Sequence, residues 1–257
     1  MAAADRNSEN DETHTSLAVS VVLPCYNEAS CLKTTVPRLA DAFAKTGDDF
    51  EIILVNNGST DDSGQVIDEL AATNPAVRKA TVKINRGQGL GIRTGLNASR
   101  GHIVGYVNAD GQVLPEDVVR VYLAAKNAPQ GVLSKARRRD RHDGLQRAFI
   151  SLGYNALMKL LFPGMPSSDV NANPKFLPAE QFRRMDLVSD DWFLEAEIML
   201  KARHMRLELV EVEISDEPRE AGHSHVRGAA IVEFFKNMLL YRFGGPWKQW
   251  RKSVRER

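Results

Sequence analysis

Three apolar runs of strand length, each stopping abruptly in small, polar or acidic residues, constrain this chain more than any other feature. Val19 to Glu28 reads VSVVLPCYNE, Glu51 to Asp62 reads EIILVNNGSTDD, and Ile103 to Gln112 reads IVGYVNADGQ. Unbroken apolar runs are the signature of strands covered on both faces, which is the situation of parallel strands joined by crossover helices. In such sheets the loops beyond the strands' carboxyl ends are where a ligand sits. These three strand ends are therefore the place to look for chemistry.

The rest of the first half keeps the same rhythm. Strands are expected at Val19 to Leu23, Glu51 to Val55, Val77 to Ile84 and His102 to Val107, separated by stretches with helical spacing such as Val66, Ile67, Leu70 and Ala71. A helix opens at Pro115, a favoured first helical position, with Val118, Val119, Tyr122 and Leu123 on its buried side. Pro37 is expected to interrupt the first helical stretch. The second half has a different grain. A short strand at Gly131 to Ala136 is followed by the basic run Arg137, Arg138, Arg139 and Arg141, then by a helix with Leu145, Phe149, Leu152, Ala156 and Leu160 at core spacing. Further helices are expected at Trp192 to His204 and Arg227 to Phe243, with a strand at Leu207 to Ile214 between them.

The chain of 257 residues is long enough for one sizeable core, so an elaborated single domain over 17–245 is expected, after a polar leader over 1–16. Thirty-four basic against thirty-three acidic residues leave a net charge of +1, which argues against a general nucleic-acid coat. Cys25 and Cys31 are too few for a disulfide framework, and with no targeting peptide the cytoplasm is the default location. No stretch approaches the roughly 20 consecutive apolar residues that cross a bilayer, so any membrane contact is expected to be peripheral.

Asp110 and Gln112 follow a strand and offer hard oxygen atoms of the kind Mg²⁺ or Mn²⁺ prefers. The run Asn108, Ala109, Asp110 and Gly111 also suits a plain turn, and both readings stand at this point. The glycines at Gly87 to Gly91 miss the dinucleotide-binding fingerprint, because Gly89 to Gly95 runs G-x-G-x-x-x-G. Glycine there serves either close ligand approach or close strand-helix packing. His223 and His225 lack partner Cys or His residues at zinc-binding spacing.

Six islands taken together resemble the family-two glycosyltransferases of the GT-A fold. They are LPCYNE at Leu23 to Glu28, VNNGSTD at Val55 to Asp61, NRGQGLGIRTGLNASRG at Asn85 to Gly101, VNADGQ at Val107 to Gln112, DVNANPKF at Asp169 to Phe176 and EPREAGHSH at Glu217 to His225. The likeness is strongest to the branch that contains dolichyl-phosphate mannose synthase and bacterial polyprenyl-phosphate glycosyltransferases, and it covers nearly all of Val19 to Phe243. It implies an α/β fold with a Rossmann-like, mostly parallel sheet flanked by helices. It also implies an inverting transfer of a sugar from a nucleotide diphosphate sugar, either GDP-mannose or a UDP-sugar, to a polyprenyl phosphate, with Mg²⁺ or Mn²⁺ as cofactor.

Carried over by position, the resemblance implies that Pro24, Tyr26, Glu28 and Asn57 line a base and ribose pocket, with Gly87, Gly89, Arg93, Asn108 and Ala109 also close to the nucleotide. Asp110 and Gln112 would hold the metal. Asp169 and Glu197 are the candidate acids for positioning or deprotonating an acceptor, and a phosphate acceptor, already anionic, needs no strong base. Arg219 resembles the arginine of an R-x-x-G-x-S-K loop. Arg137, Arg139, Ser224 and His225 are the candidate acceptor-phosphate ligands, with His225 standing where the pattern has lysine. Asn56, Asn57 and Asn108 stand where the family often has acids, which would weaken the hold on a metal.

The tail over 246–257, with Trp247, Trp250 and five basic residues in its last ten, reads as a peripheral membrane contact, and the helix before it as core cover. Two alternatives stand beside this reading. One is a related transferase with a hydroxyl acceptor, and the other is an inactive nucleotide-sugar-binding protein.

Overall fold

The structure, a computed structural model, describes residues 17–128, 131–139, 160–162, 169–215 and 228–255, with only the backbone over 228–235, 246 and 254–255. Four βα units open the chain: β1 (Val19–Cys25), α1 (Ala29–Ala44), β2 (Phe50–Asn57), α2 (Ser63–Thr73), β3 (Val77–Val82), α3 (Gln88–Asn97), β4 (Ile103–Tyr106) and α4 (Pro115–Lys126). β5 (Val132–Arg138), β6 (Lys175–Pro178), α5 (Ala179–Met185), α6 (Leu194–His204), β7 (Glu208–Ile214), α7 (Gly228–Phe243) and α8 (Gly245–Arg255) complete it.

The seven strands form one sheet in the order β3-β2-β1-β4-β6-β5-β7. β6 is antiparallel to both β4 and β5, while the other pairings are parallel, as the α/β expectation requires. Successive residues of β1 serve opposite faces, since side chains alternate along a strand. Val19, Val21, Leu23 and Cys25 pack with residues of α1, α2 and α4, whereas Val22 joins α3, α5, α6 and α7. The order of strands turns about β1: β2 and β3 lie to one side of it and β4 to the other. That reversal opens a crevice at the carboxyl ends of β1 and β4.

Three details depart from the sequence reading. Pro37 lies inside an unbroken α1, because it and Lys33, whose carbonyl loses its helical partner, are both on the exposed face where water can substitute. β5 runs on through Arg137 and Arg138, so the basic run begins within the strand rather than after it. The tail is a helix, α8, and Trp250 is only 5% exposed, stacked on Trp247 at 5.4 Å and against His204. Its tryptophans cover the core instead of facing a bilayer. The helix expected from Leu145 lies outside the described residues apart from its last position, Leu160.

Candidate functional site

Side-chain bonds tie the loops after β1 and β2 together. Asn27, at φ 58°, accepts the Thr60 N–H at 2.8 Å on its side-chain oxygen, and its own N–H donates to Ser59 Oγ at 3.2 Å. The Glu28 N–H donates to Ser63 Oγ at 2.9 Å. Asn56 accepts the Ser59 N–H at 3.0 Å and so shapes its own turn. Asparagine at this position thus has a local structural use that an aspartate would share.

Asn57, 2% exposed, reaches the other way, and its amide donates to the Gly87 carbonyl at 2.9 Å. Gln88 continues the line by donating to Asn108 Oδ1 at 2.7 Å, and the Asn108 N–H donates to Asn173 Oδ1 at 3.3 Å. The ends of β2 and β4, the start of α3 and the approach to β6 thereby meet. Ala109 and Asp110 follow Asn108 and are 2% and 3% exposed, with Asp110 Oδ1 accepting the Gln112 N–H at 3.3 Å. The expected nucleotide residues Asn57, Gly87, Asn108 and Ala109 are brought together here, and Pro24 joins them, its Cβ 3.2 Å from where a Cβ on Gly91 would lie. Tyr26 and Glu28 stand half-buried on the β1 loop.

Two buried acceptors in this cluster have no partner among the described residues, the side-chain carbonyl oxygens of Asn57 and Gln88. Leaving such an atom unsatisfied costs about 1–3 kcal/mol, so a pair of them in one cluster marks a place where a ligand's N–H or O–H groups would be welcome. Gln88 was not among the residues singled out from sequence, because glutamine in a glycine-rich turn carries no signal of its own.

The glycine turn rests on the segment 188–191. Gly87 has φ 135°, and a Cβ there would lie 2.5 Å from the Asp190 carbonyl oxygen; one on Gly89 would lie 2.5 Å from that of Asp191. Both positions therefore require glycine for close backbone packing. The Leu90 N–H donates to the Asp190 carbonyl at 2.8 Å. Arg93, expected near the nucleotide, spends Nη1 on Asp190 Oδ1 at 2.5 Å and on the Val188 carbonyl at 2.8 Å. Arg86 adds a second ion pair to Asp190 at 3.2 Å.

Glu197 holds the same segment from behind. It is fully buried, accepts the N–H groups of Val188 at 3.1 Å and Ser189 at 2.9 Å, and pairs with Lys201 at 2.6 Å. Burial pushes the Tyr241 phenol pKa up, and the nearby charge of Glu197 adds to that. Burial also lowers that of Lys201, opposed by Glu197. Glu195, two residues away, serves another network, meeting Lys175 and the Tyr106 hydroxyl, the latter at 2.5 Å.

Asp169, 6% exposed, takes both donors of Arg138 at 3.0 and 2.9 Å. Proton abstraction by Asp169 would have to break that pair. Of the arginines singled out as phosphate ligands, Arg137 pairs loosely with Glu213 at 3.5 Å and Arg139 is exposed. Arg138, between them, points the other way because side chains alternate along β5. Arg219, Ser224 and His225 lie outside the described residues.

Among the described residues no group of three or more His, Cys, Asp or Glu side chains stands together as a metal cage. One carboxylate with a neighbouring amide, as at Asp110 and Gln112, still fits a hard cation that takes its remaining oxygens from a substrate's phosphates and from water. It does not fit a closed zinc site, which needs four protein ligands.

Comparison with known proteins agrees with this architecture. The solved structure of glucosyl-3-phosphoglycerate synthase from Mycobacterium tuberculosis, in complex with Mn²⁺, uridine diphosphate and phosphoglyceric acid, superposes with a TM-score of 0.69 at 19% identity, over 90% of this chain and 80% of that one, which is a likeness of fold. An undecaprenyl-phosphate 4-deoxy-4-formamido-L-arabinose transferase from Edwardsiella ictaluri is 36% identical over 143 residues, 55% of this chain and 43% of the relative. The chain thus spans less than half of that relative. An undecaprenyl-phosphate mannosyltransferase from Micrococcus luteus is 25% identical over 248 residues, 93% of this chain and 99% of the relative. The sequence model of glycosyl transferase family 2 matches residues 20–167, more than half of the chain, and it is to this family that the protein belongs.

Proposed function

We propose that this protein transfers a sugar from a nucleoside diphosphate to a polyprenyl phosphate at a membrane surface, with inversion at the anomeric carbon. The observation that carries the reading is the pair of unsatisfied acceptors, Asn57 Oδ1 and Gln88 Oε1, in the cluster that joins the end of β2 to the start of α3 and the loop after β4. A base offers N–H donors and a ribose O–H donors, and either would satisfy them. Asp110, in the loop between β4 and α4, supports the other half of the reading. With Gln112 it would hold Mg²⁺ or Mn²⁺, which supplies positive charge where the leaving diphosphate develops negative charge.

The acceptor follows from the remaining charges. Asp169 is occupied by Arg138, and Glu197 by Lys201 and two amides, so neither stands ready as a base. A phosphate acceptor needs none, because its oxygen is already anionic and attacks directly. The similarity to undecaprenyl-phosphate transferases supports a polyprenyl phosphate in particular. No described helix is long and apolar enough to cross a membrane, so the reading includes contact at the surface.

The test is a panel of radiolabelled GDP-mannose, UDP-glucose and related donors with a short polyprenyl phosphate. Label is expected in the organic-extractable product with one donor class, to vanish with Asp110→Asn or a chelator, and to return when Mn²⁺ is restored to the chelated wild type. Label confined to water-soluble products would favour a hydroxyl acceptor, and no turnover of any donor would defeat the proposal.

A further inference from the structure

We infer that the outward stripe of α7, and not the tryptophan-bearing helix after it, is the surface on which this protein rests against an anionic lipid bilayer. The inference builds on the reading that the acceptor is a membrane lipid. At 3.6 residues per turn, Lys236, Leu239, Leu240 and Phe243 fall on one side of α7, opposite Met238 and Tyr241. Exposure follows that geometry. Leu239, Leu240 and Phe243 are 44%, 55% and 63% exposed, while Met238 and Tyr241 are 0% and 4%.

Arg242 extends the stripe. Its Nε donates to the Leu161 carbonyl at 3.0 Å and its guanidinium carbon lies 5.3 Å from the centre of the Phe243 ring. This brings Leu160, 76% exposed, to the same end of the helix. Large apolar side chains gathered on one face mark a contact surface. The tryptophans are no alternative, since Trp250 is buried, Trp247 packs on the core, and Lys201 lies 5.0 Å from the Trp250 ring.

Charge selects the occupant. From Gly228 to Arg257 the sequence holds Lys236, Arg242, Lys248, Arg251, Lys252, Arg255 and Arg257 against Glu233 and Glu256, a clear excess of positive charge. An apolar stripe among cations suits the acyl boundary beneath anionic headgroups. A second copy of the chain would bring the same positive charge against itself across a two-fold contact. The inward side of the helix adds an independent argument. Asn237 donates to Asp191, in the segment that seats the glycine turn, so the lipid-facing helix is bonded directly to the backing of the candidate donor pocket.

The test uses the full chain in co-sedimentation with vesicles of phosphatidylglycerol mixed with phosphatidylcholine, and of phosphatidylcholine alone. Wild type is expected to bind the anionic vesicles, and Leu239→Ser/Leu240→Ser/Phe243→Ser to lose about tenfold or more in partitioning, since three apolar side chains leave the interface. Its melting temperature and nucleotide affinity should stay at wild-type values, because those side chains contact the solvent. A dye on Leu240→Cys, whose native cysteines are both buried, is expected to shift to the blue on the anionic vesicles alone. Wild-type partitioning by the triple variant, or a wild-type dimer that the variant dissolves, would overturn the surface. If wild type ignores anionic vesicles yet still makes organic-extractable product, the surface fails while the transfer reading stands; if both are absent, both fail.

Discussion

A carboxylate near the start of a helix can serve as a base or as an anchor, and burial separates the two at Glu197. With no exposure and with Lys201 and the amides of Val188 and Ser189 around it, the group holds the segment that backs the glycine turn. Glu197→Gln would leave Lys201, 1% exposed, without its counter-charge, at a cost of about 3–5 kcal/mol. Thermal denaturation should show that loss, and steady-state kinetics should show the donor KM rising more than kcat falls, with the pH profile keeping its shape; loss of kcat alone at unchanged stability would restore the base. Lys135 gives a second residue-scale expectation. It is fully buried directly across the strands from Lys175, and burial first, then that neighbouring charge, lowers its pKa to about 8, opposed by Glu211. The unfolded chain therefore holds this proton between about pH 8 and the ordinary lysine value near 10.4 while the fold has shed it, so stability from this group rises with pH across that window. Lys135→Met should remove that rise, measured as the difference in melting temperature between pH 8 and 9.5 for the two proteins.

At the scale of elements, what the strands deliver was written in the sequence, and what the delivered loops lean on was not. The ends of β1, β2 and β4 fall within a residue or two of where the apolar runs stop, because a run of residues covered on both faces has no other stable use. The segment 188–191 lies about a hundred positions from the glycine turn it supports and contains no motif, so only packing shows that Gly87 and Gly89 face its backbone. Gly89→Ala is expected to force that contact apart, costing about 1–3 kcal/mol of stability and weakening nucleotide binding, as calorimetric titration with UDP and GDP would show. Gly47→Ala, at a turn with nothing within 4 Å of the new Cβ, is the control that changes backbone strain without touching the pocket. Pro37 and β6 were missed for complementary reasons. An exposed proline is tolerated in α1, and a four-residue strand carrying a buried lysine has too little apolar pattern to announce itself.

For the whole molecule, the order of strands places the crevice and the last helix closes the core. β1 sits between β2 and β4, so the loops rich in asparagine meet at one end of the sheet although they are far apart in the chain. α8, which reads as a basic tail, docks Trp250 and Trp247 against His204 of α6 and Tyr241 of α7. Trp250→Ala should therefore cost about 3–5 kcal/mol, seen as a lowered melting temperature, where a solvated or bilayer-bound tryptophan would cost almost nothing in solution.

From its residues alone the chain determined its fold class and the location of its polar strand ends, because two-sided burial demands continuous apolar runs and loops after parallel strands must be polar. Only the tertiary structure decided which polar groups are already spoken for. Arg93, Asp169 and Glu197 look alike in sequence to free ligands, but Arg93 and Asp169 are held by partners brought from elsewhere in the chain, and Glu197 by Lys201 one turn along its own helix and by the amides of Val188 and Ser189. Asn57 and Gln88 keep unsatisfied oxygens. The reason is that a side chain's capacity to act depends on its unused hydrogen bonds, and the packing of the folded chain settles how many remain.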